Sequence, residues 1–283
     1  MTTLQKVIKY LALAFAIFLT VSIVGGILSA VGLLGSLFSD DDAEWGDVIG
    51  ETKNYTVSSE ISDLNIQINA ADFYIKEGNG FSVESNLKNL EVDEKNGCLT
   101  LKDLTKIKLN GSNAYENAVL TIWVPVGTVF DNVNIKTGAG RFTVDSLSAA
   151  TIGFELGAGD VTISKLIAEK SANIEGGAGR ITISDGAIKN LDLEMGLGQL
   201  NLTSALTGDC NLDSGVGEMN VTLLGSKDDY ELDIEKGIGN ITVDGKNVTD
   251  FGSSGNGANE VDIHGGVGAI NVRFNNEKLL DSW

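Results

Sequence analysis

A Gly-x-Gly motif followed by alternating apolar and polar residues recurs through the second half of the chain. This repeat constrains the fold more than any other feature of the sequence. The first copy is TGAGRFTV (137–144) and the last is GGVGAINV (265–272). Successive copies begin 19, 20, 19, 19, 22 and 29 residues apart. A period near 20 residues with two short strands per copy is typical of a β-solenoid.

Alternation within each copy predicts which side chains enter the core. In a strand, every second side chain points to the same face. Apolar residues occupy every second position on both sides of each motif, so each copy is expected to fold as strand, corner, strand. Val161, Ile181 and Leu200 then lie one beneath the next in successive coils. The sequence thus predicts an all-β, single-stranded β-solenoid with coils of about 20 residues.

The glycines are expected to form the corner of each coil, where stacked backbones lie close together. Glycine tolerates positive φ and close backbone approach, which other residues do not. The residue between the two glycines is expected to point into the core. The predicted corner glycines are Gly138, Gly140, Gly157, Gly159, Gly177, Gly179, Gly196, Gly198, Gly215, Gly217, Gly237, Gly239, Gly266 and Gly268.

Polar residues follow each corner at an outward position. Thr and Asn side chains in register on neighbouring strands can hydrogen-bond along the stack. The sequence therefore predicts one polar ladder on the outer surface. Its members are Thr143, Thr162, Thr182, Asn201, Asn220, Thr242 and Asn271.

An outward carboxylate precedes the corner in five copies that are consecutive in the sequence. These residues are Glu155, Glu175, Glu194, Asp213 and Glu235. Stacked strands lie about 4.8 Å apart, so the carboxylates are expected to form a continuous strip. One interpretation is a strip that binds Ca²⁺, Mg²⁺ or a cationic polymer, because hard cations prefer oxygen ligands. The other is a solvated acidic face that keeps an edge-rich array soluble. No firm metal site and no cofactor is assigned.

The flanks of the repeat array, residues 127–274, are less regular. Residues 60–126 are expected to form an irregular β capping region, since solenoid ends need a sequence that covers the open sheet edge. Within it, 64–76 resembles a degenerate copy with Ala-Ala in place of Gly-x-Gly, and 91–101 is typical of a hairpin around Asn96-Gly97. Residues 275–283 are expected to cap the far end.

A polar segment rich in Gly, Ser and Asn, residues 245–260, is expected to form a loop between the last two copies.

The N-terminus predicts a membrane anchor. Residues 10–38 are almost wholly apolar, longer than the apolar core of a cleaved signal peptide and long enough to span a bilayer. Lys6 and Lys9 precede the span within the stub 1–9, and an acidic linker, 39–59, follows it. Positive residues stay cytoplasmic. We therefore expect a single-pass plasma-membrane protein with a cytoplasmic N-terminus and an extracytoplasmic C-terminal domain.

Charge and composition exclude several classes of function. The net charge of −19 is a poor match to nucleic acid and favours cations, basic partners or a cationic cell-surface ligand. His264 is the only histidine, which leaves no His-based catalytic triad and no His/Cys zinc cluster. Cys210 falls at an inward repeat position, and its spacing from Cys98 suggests no metal site.

Catalysis is not expected. A nucleotide-binding Gly-x-Gly needs a third glycine and a following helix, whereas a strand follows here. The carboxylates repeat monotonously and do not form a pair in distinct environments, as acid–base catalysis needs. We therefore expect a protein that is not an enzyme.

The run WVPVGTVFDNVNIKTGAGRFTV (123–144), with the copies after it, resembles the bacterial "putative adhesin" β-strand-repeat family. This toastrack-like domain of unknown function corresponds to roughly residues 60–272. The resemblance implies the architecture and almost nothing about activity. Some relatives take part in envelope-stress signalling, but this chain lacks their cytoplasmic sensor domain. It also lacks a wall-attachment motif, so signalling or wall linkage would need a partner.

Two functions follow as hypotheses. The first is a membrane-anchored extracytoplasmic binding module, an adhesin or scaffold that contacts an envelope protein or a cell-surface ligand. The alternative is an accessory or sensory ectodomain in an envelope-stress signalling system.

Overall fold

The computed structural model describes residues 48–57, 60–105, 115–248 and 254–275. The predicted stub and anchor, much of the acidic linker and all but the first residue of the C-terminal tail lie outside these ranges. Within the described residues, no helix is both long and apolar enough to cross a membrane.

The described residues form β-strands and one short 3-10 helix, Lys227–Asp229. The strands are β1 (Ile49–Thr56), β2 (Asp63–Gly78), β3 (Ser82–Leu87), β4 (Leu90–Lys95), β5 (Cys98–Asp103), β6 (Val119–Pro125), β7 (Val129–Ile183), β8 (Gly186–Lys189), β9 (Leu191–Thr207), β10 (Asp209–Leu224), β11 (Tyr230–Val243), β12 (Lys246–Val248) and β13 (Asn259–Asn275).

The strands stack as rungs, each made of the segment before a corner, the corner and the segment after it. Rungs pair in parallel with every corner in register, as in Gly198 opposite Gly179 and Gly217 opposite Gly198. β7 contains three rungs in one continuous strand, while β2, β9, β10, β11 and β13 contain one each. The prediction of an all-β repeat array is confirmed.

The corner requires glycine for two reasons that act together. Gly159 has φ +147°, a conformation that L side chains rarely adopt. A Cβ at Gly159 would also overlap the carbonyl oxygen of Gly140 in the neighbouring rung. All seven second glycines of the predicted corners have φ between +118° and +151°, so the structure repeats the same turn in every copy.

The core consists of files of apolar side chains that run along the stack. Ile181 lies opposite Leu200, and Leu200 lies opposite Met219, all of them buried. Aromatic rings fill the core near the first rungs: Phe73 and Phe142 are stacked with their centroids 4.7 Å apart. The predicted stacking of equivalent side chains is confirmed.

The order of the last rungs differs from their order in the sequence. β13 lies between β10 and β11, and it pairs in parallel with both. Val267 in the corner of β13 is therefore flanked by Val216 and Ile238. The expectation that consecutive copies stack consecutively is wrong for this pair of rungs.

The first rung, β2, also has neighbours that do not follow it directly in the sequence. Ala70 and Ala71 lie opposite Ala139 and Gly140 of β7, so the degenerate copy is confirmed as a rung. On its other side, the two halves of β2 pair in parallel with β5 and β6. β4 pairs antiparallel with β5, through the expected turn at Asn96-Gly97, and β3 pairs antiparallel with β6.

The far end of the stack is covered by part of the segment 245–260. β12 pairs antiparallel with the end of β11, and Leu232 and Ser254 exchange two backbone hydrogen bonds of 2.9 Å. Residues 246–248 and Ser254 of this segment therefore lie along the outer edge of β11. The proposed role of the tail 275–283 as a cap falls outside the described residues.

Candidate functional site

The predicted carboxylates lie on the outer surface, on the strand segments that lead into the corners. We call Glu155, Glu175, Glu194, Asp213 and Glu235 the acidic file. Alternation turns these side chains outward while their sequence neighbours fill the core. Glu175 lies opposite Glu194, and Glu194 lies opposite Asp213. At the start of the file, Lys136 forms an ion pair with Glu155, whose side chain is 51% exposed.

The acidic file is not continuous, because the inserted strand β13 interrupts it. His264 lies opposite Asp213 on one side and Glu235 on the other. Its Nδ1 is 3.3 Å from Oδ1 of Asp213. The prediction of five consecutive carboxylates is therefore wrong: four are adjacent, and the single histidine separates them from Glu235. His264 lies at the surface, as expected, but it is paired.

Further carboxylates surround this interruption and make the surface of β10, β13 and β11 strongly acidic. The outward residues of these strands align as Asp209 with Glu260 and Glu231, and as Asn211 with Asp262 and Asp233. Asn211 donates a 2.8 Å hydrogen bond to Asp213. Among the described residues, no group of three or more His, Cys, Asp or Glu side chains is placed to hold a metal ion. The arrangement is a broad acidic surface.

The polar ladder behind the corners is confirmed from Thr182 onward, with its last two members exchanged. Asn201 bonds to Thr182, Asn220 to Asn201 and Asn271 to Asn220, and Thr242 donates to Asn271 at 2.6 Å. Because β13 lies between β10 and β11, Asn271 bridges residues that sequence order would make neighbours. These five side chains therefore hydrogen-bond to one another along the stack.

The residues between the corner glycines do not point into the core, contrary to the prediction. Ile238 is 61% exposed and Val267 is 37% exposed, and Ala139 and Ala158 are also exposed. The turn at the positive-φ glycine breaks the alternation from which the inward orientation was inferred. We call Leu197, Val216, Val267 and Ile238 the corner ridge. One feature of the sequence could have identified this ridge: the residue between the glycines is alanine in the first three copies and a larger apolar residue in the last four.

Both cysteines are free, and Cys210 is buried at the inward position that the repeat predicts. Burial raises the pKa of the Cys210 thiol. A buried thiol with a raised pKa is a poor nucleophile. Cys210 therefore acts as a small core residue.

A family model, the toastrack domain of unknown function DUF4097, matches residues 60–256. The chain belongs to the toastrack family. The match covers most of the described rungs, including β2 and its flanking strands. No curated protein matches the sequence.

Solved structures of similar proteins share little sequence identity with this chain. A "putative cell adhesion protein" from Clostridium sporogenes is 14% identical, with 80% of this chain and 99% of that chain covered and a TM-score of 0.34. A "putative adhesin" from Bacteroides fragilis is 14% identical, with coverages of 78% and 96% and a TM-score of 0.35. A "putative adhesin" from Parabacteroides distasonis is also 14% identical, with coverages of 80% and 98% and a TM-score of 0.35.

Proposed function

We propose that this toastrack protein is a non-catalytic binding module of the cell envelope that acts as an adhesin or scaffold. Residues 10–38 would hold it in the plasma membrane with the N-terminus in the cytoplasm and the rungs outside. The observation that carries the proposal is the broad acidic surface of β10, β13 and β11. A rigid stack of parallel rungs holds this surface in a fixed geometry, which lowers the entropic cost of binding.

The chemistry of the surface supports binding of a basic partner. Carboxylates on neighbouring strands repel one another, and a partner that supplies Lys or Arg would relieve that repulsion. The repetition of similar, exposed carboxylates offers no pair with the distinct environments that acid–base catalysis needs. His264, the single histidine, is paired with Asp213 at the surface.

A pull-down with the intact protein from native membranes tests the proposal. The variant Glu194→Gln/Asp213→Asn/Glu235→Gln removes three charges from the acidic file. The matched control, Glu51→Gln/Glu91→Gln/Asp93→Asn, removes three exposed charges on β1 and β4. We expect captured partners to be lost from the first variant and retained by the control, and increasing salt to weaken capture. Equal capture by both variants would contradict a role for this surface.

The identity of the captured protein also separates the two functional hypotheses. A surface ligand or wall-associated protein would support the adhesin or scaffold. Capture of a membrane sensor kinase or another stress-signalling component would instead support the accessory role in envelope-stress signalling.

A further inference from the structure

The corner ridge is an apolar surface in which Val267 and Ile238 are exposed and Leu197 and Val216 are half-buried. At the same corner position, Ala139, Ala158 and Ala178 complete the turn in three rungs of β7. Ile238 gains little from the core, since it is 61% exposed, and none of the four ridge residues is fully buried. Exposed contiguous apolar surface is a frequent mark of an interaction site. The replacement of alanine by Leu, Val, Val and Ile therefore needs an explanation outside the fold.

In-register stacking of the corners makes the ridge continuous across β9, β10, β13 and β11. Val216 lies opposite Leu197 on one side and Val267 on the other, and Val267 lies opposite Ile238. The four side chains are one rung apart, so the ridge extends for roughly 14 Å, three intervals of about 4.8 Å.

Glycines border the ridge along its whole length. Each ridge residue has a glycine directly before and after it, for example Gly215 and Gly217 around Val216. Because glycine has no side chain, a partner can approach the ridge residue and the adjoining backbone closely. At the β11 corner a cation also lies beside the ridge, since the Lys236 Nζ atom donates a 2.8 Å hydrogen bond to the Gly239 carbonyl next to Ile238.

Charge on the acidic file determines the chemistry that a partner of the ridge must carry. Glu194, Asp213 and Glu235 each precede the nearest ridge residue by three positions, on one flank of the ridge. On the other flank, Glu218 follows Val216 by two positions, and it accepts hydrogen bonds from the ladder and from Gln199. An apolar partner bearing Lys or Arg beside its apolar stripe complements this surface, and an anionic one does not.

The spacing of the ridge fits an α-helix. One helical turn rises about 5.4 Å, close to the rung spacing of about 4.8 Å, so one apolar residue per turn can contact one ridge residue per rung. Over three intervals the mismatch is only about 2 Å, which flexible side chains absorb. An amphipathic helix of at least three turns would cover the ridge.

We propose that the corner ridge is the docking surface for an amphipathic helix of a partner protein, with its apolar stripe on the ridge and its Lys or Arg residues against Glu194, Asp213 and Glu235. This proposal rests on the proposed function as a binding module and specifies the class of partner. The ridge supplies contact area, and the acidic file sets the orientation of the helix.

The test uses the full chain in phosphatidylcholine nanodiscs and a fluorescent synthetic helix of about 15 residues, long enough for three to four turns. The helix carries Leu at i, i+3, i+4 and i+7 spacing, Lys along one flank and Ala elsewhere. The ridge variant is Leu197→Ala/Val216→Ala/Val267→Ala/Ile238→Ala. Since alanine occupies this position in other rungs, the variant should fold normally, as circular dichroism would show. The control, Val126→Ala/Val129→Ala, removes two exposed apolar side chains elsewhere.

Fluorescence anisotropy should show binding to the unmodified protein and to the control. We expect the ridge variant to bind at least about tenfold more weakly, and peptides with Leu→Ser or Lys→Glu to lose affinity to a similar degree. Equal binding by the ridge variant would overturn the proposal.

Two further outcomes would also overturn the proposal. Undiminished binding of the Leu→Ser peptide would mean that charge alone drives association, which leaves the acidic binding module intact while the ridge proposal fails. Ridge-dependent dimers of the protein in analytical ultracentrifugation would mean that a second copy covers the ridge.

Discussion

The first and last corners of the stack differ in their need for glycine. The first corner is Asn69-Ala70-Ala71 in β2, and the last is Gly237-Ile238-Gly239 in β11. A Cβ at Gly239 would overlap the carbonyl oxygen of Gly268 in the rung before it in space. β2 has no such corner on its outer side, because β5 ends at Asp103 and β6 begins only at Val119. The requirement is therefore one-sided: each corner needs glycine because of the carbonyl oxygen of the preceding corner.

The amide that replaces the first glycine in β2 has a role of its own. The Nδ2 atom of Asn69 donates to the carbonyl oxygen of Thr105 at 2.8 Å and lies 3.4 Å from the Tyr115 hydroxyl. These contacts hold the chain where it leaves β5 and where it returns toward β6. Because no preceding corner crowds this position, it accommodates an asparagine side chain that hydrogen-bonds to the neighbouring loop ends.

The largest effect is expected from a Cβ at an interior corner. Gly198 has φ +138°, and a Cβ there would overlap the carbonyl oxygen of Gly179. Gly198→Ala should cost more than about 4 kcal/mol of unfolding free energy or prevent folding. Urea unfolding followed by circular dichroism measures this. Gly80→Ala is the control, since a Cβ at Gly80 meets nothing within 4 Å. Equal stability of the two variants would disprove the steric argument.

High pH should weaken both ends of the stack, because each end contains a tyrosine that resists ionisation. Burial, together with nearby Asp103, raises the pKa of Tyr115 to about 12. Burial likewise raises the pKa of Tyr230 to about 12, and its hydroxyl donates to the Leu224 carbonyl at 2.6 Å. In the unfolded chain both tyrosines ionise near pH 10, so stability that is present below pH 10 is lost as pH rises toward 12.

The expected loss of unfolding free energy by pH 12 is on the order of 2 kcal/mol for the buried Tyr230. It is smaller for Tyr115, which is half-buried and therefore screened by solvent. Urea unfolding between pH 8 and 12, with ultraviolet absorbance of tyrosinate, measures it. In the variants Tyr115→Phe and Tyr230→Phe, the free energy of unfolding should fall less steeply with pH. Both variants should be less stable at pH 8, because each loses a hydrogen bond. A decline of unchanged steepness in both variants would refute the assignment.

The repeat pattern predicts the rungs and their inward files, and it cannot predict which rungs are neighbours at the end of the stack. Alternation depends on adjacent residues, so the positions of Ile181 and Leu200 follow directly from the sequence. The copies around Gly237 and Gly266 carry the same local pattern, and either could pair with β10. In the connection between β11 and β13, residues 246–248 and Ser254 pair along the outer edge of β11, which leaves the edge beside β10 to β13. For the same reason the sequence could not place His264 inside the acidic file.

The orientation of the corner residues was not predictable from alternation either. A positive φ at the second glycine rotates the chain between the two strand segments, so the inward and outward assignment before the turn does not continue through it. Val267 and Ile238 lie where the alternation changes phase, since Leu232 and Ile234 are buried before the β11 corner and Ile241 and Val243 after it. The acidic surface was predictable in composition, because the outward carboxylates follow from strand alternation alone.

A smaller effect is expected from restoring the missing glycine in the first corner. Ala71 is buried and does not have positive φ, whereas its neighbour Gly140 has φ +118°. Ala71→Gly removes a buried methyl group and increases the conformational freedom of the unfolded chain, so it should cost about 1–2 kcal/mol. Urea unfolding of the variant measures the change. A neutral or stabilising result would mean that glycine is preferred at every corner and that the requirement is not one-sided.

The smallest effect is expected from substitutions in the polar ladder at the other end of the stack. Asn220, Asn271 and Thr242 of this ladder test the order of the last rungs. The Asn271 amide donates to Oδ1 of Asn220 at 2.9 Å and accepts from Thr242 at 2.6 Å. Each substitution by Ala should cost about 1 kcal/mol, since these hydrogen bonds are partly exposed. Double-mutant cycles from urea unfolding should give coupling of about 0.5 kcal/mol or more for Asn220 with Asn271. The effects of substituting Asn220 and Thr242 should be additive, because β13 separates the two residues. Coupling between Asn220 and Thr242 alone would instead place β11 directly beside β10, as in the sequence.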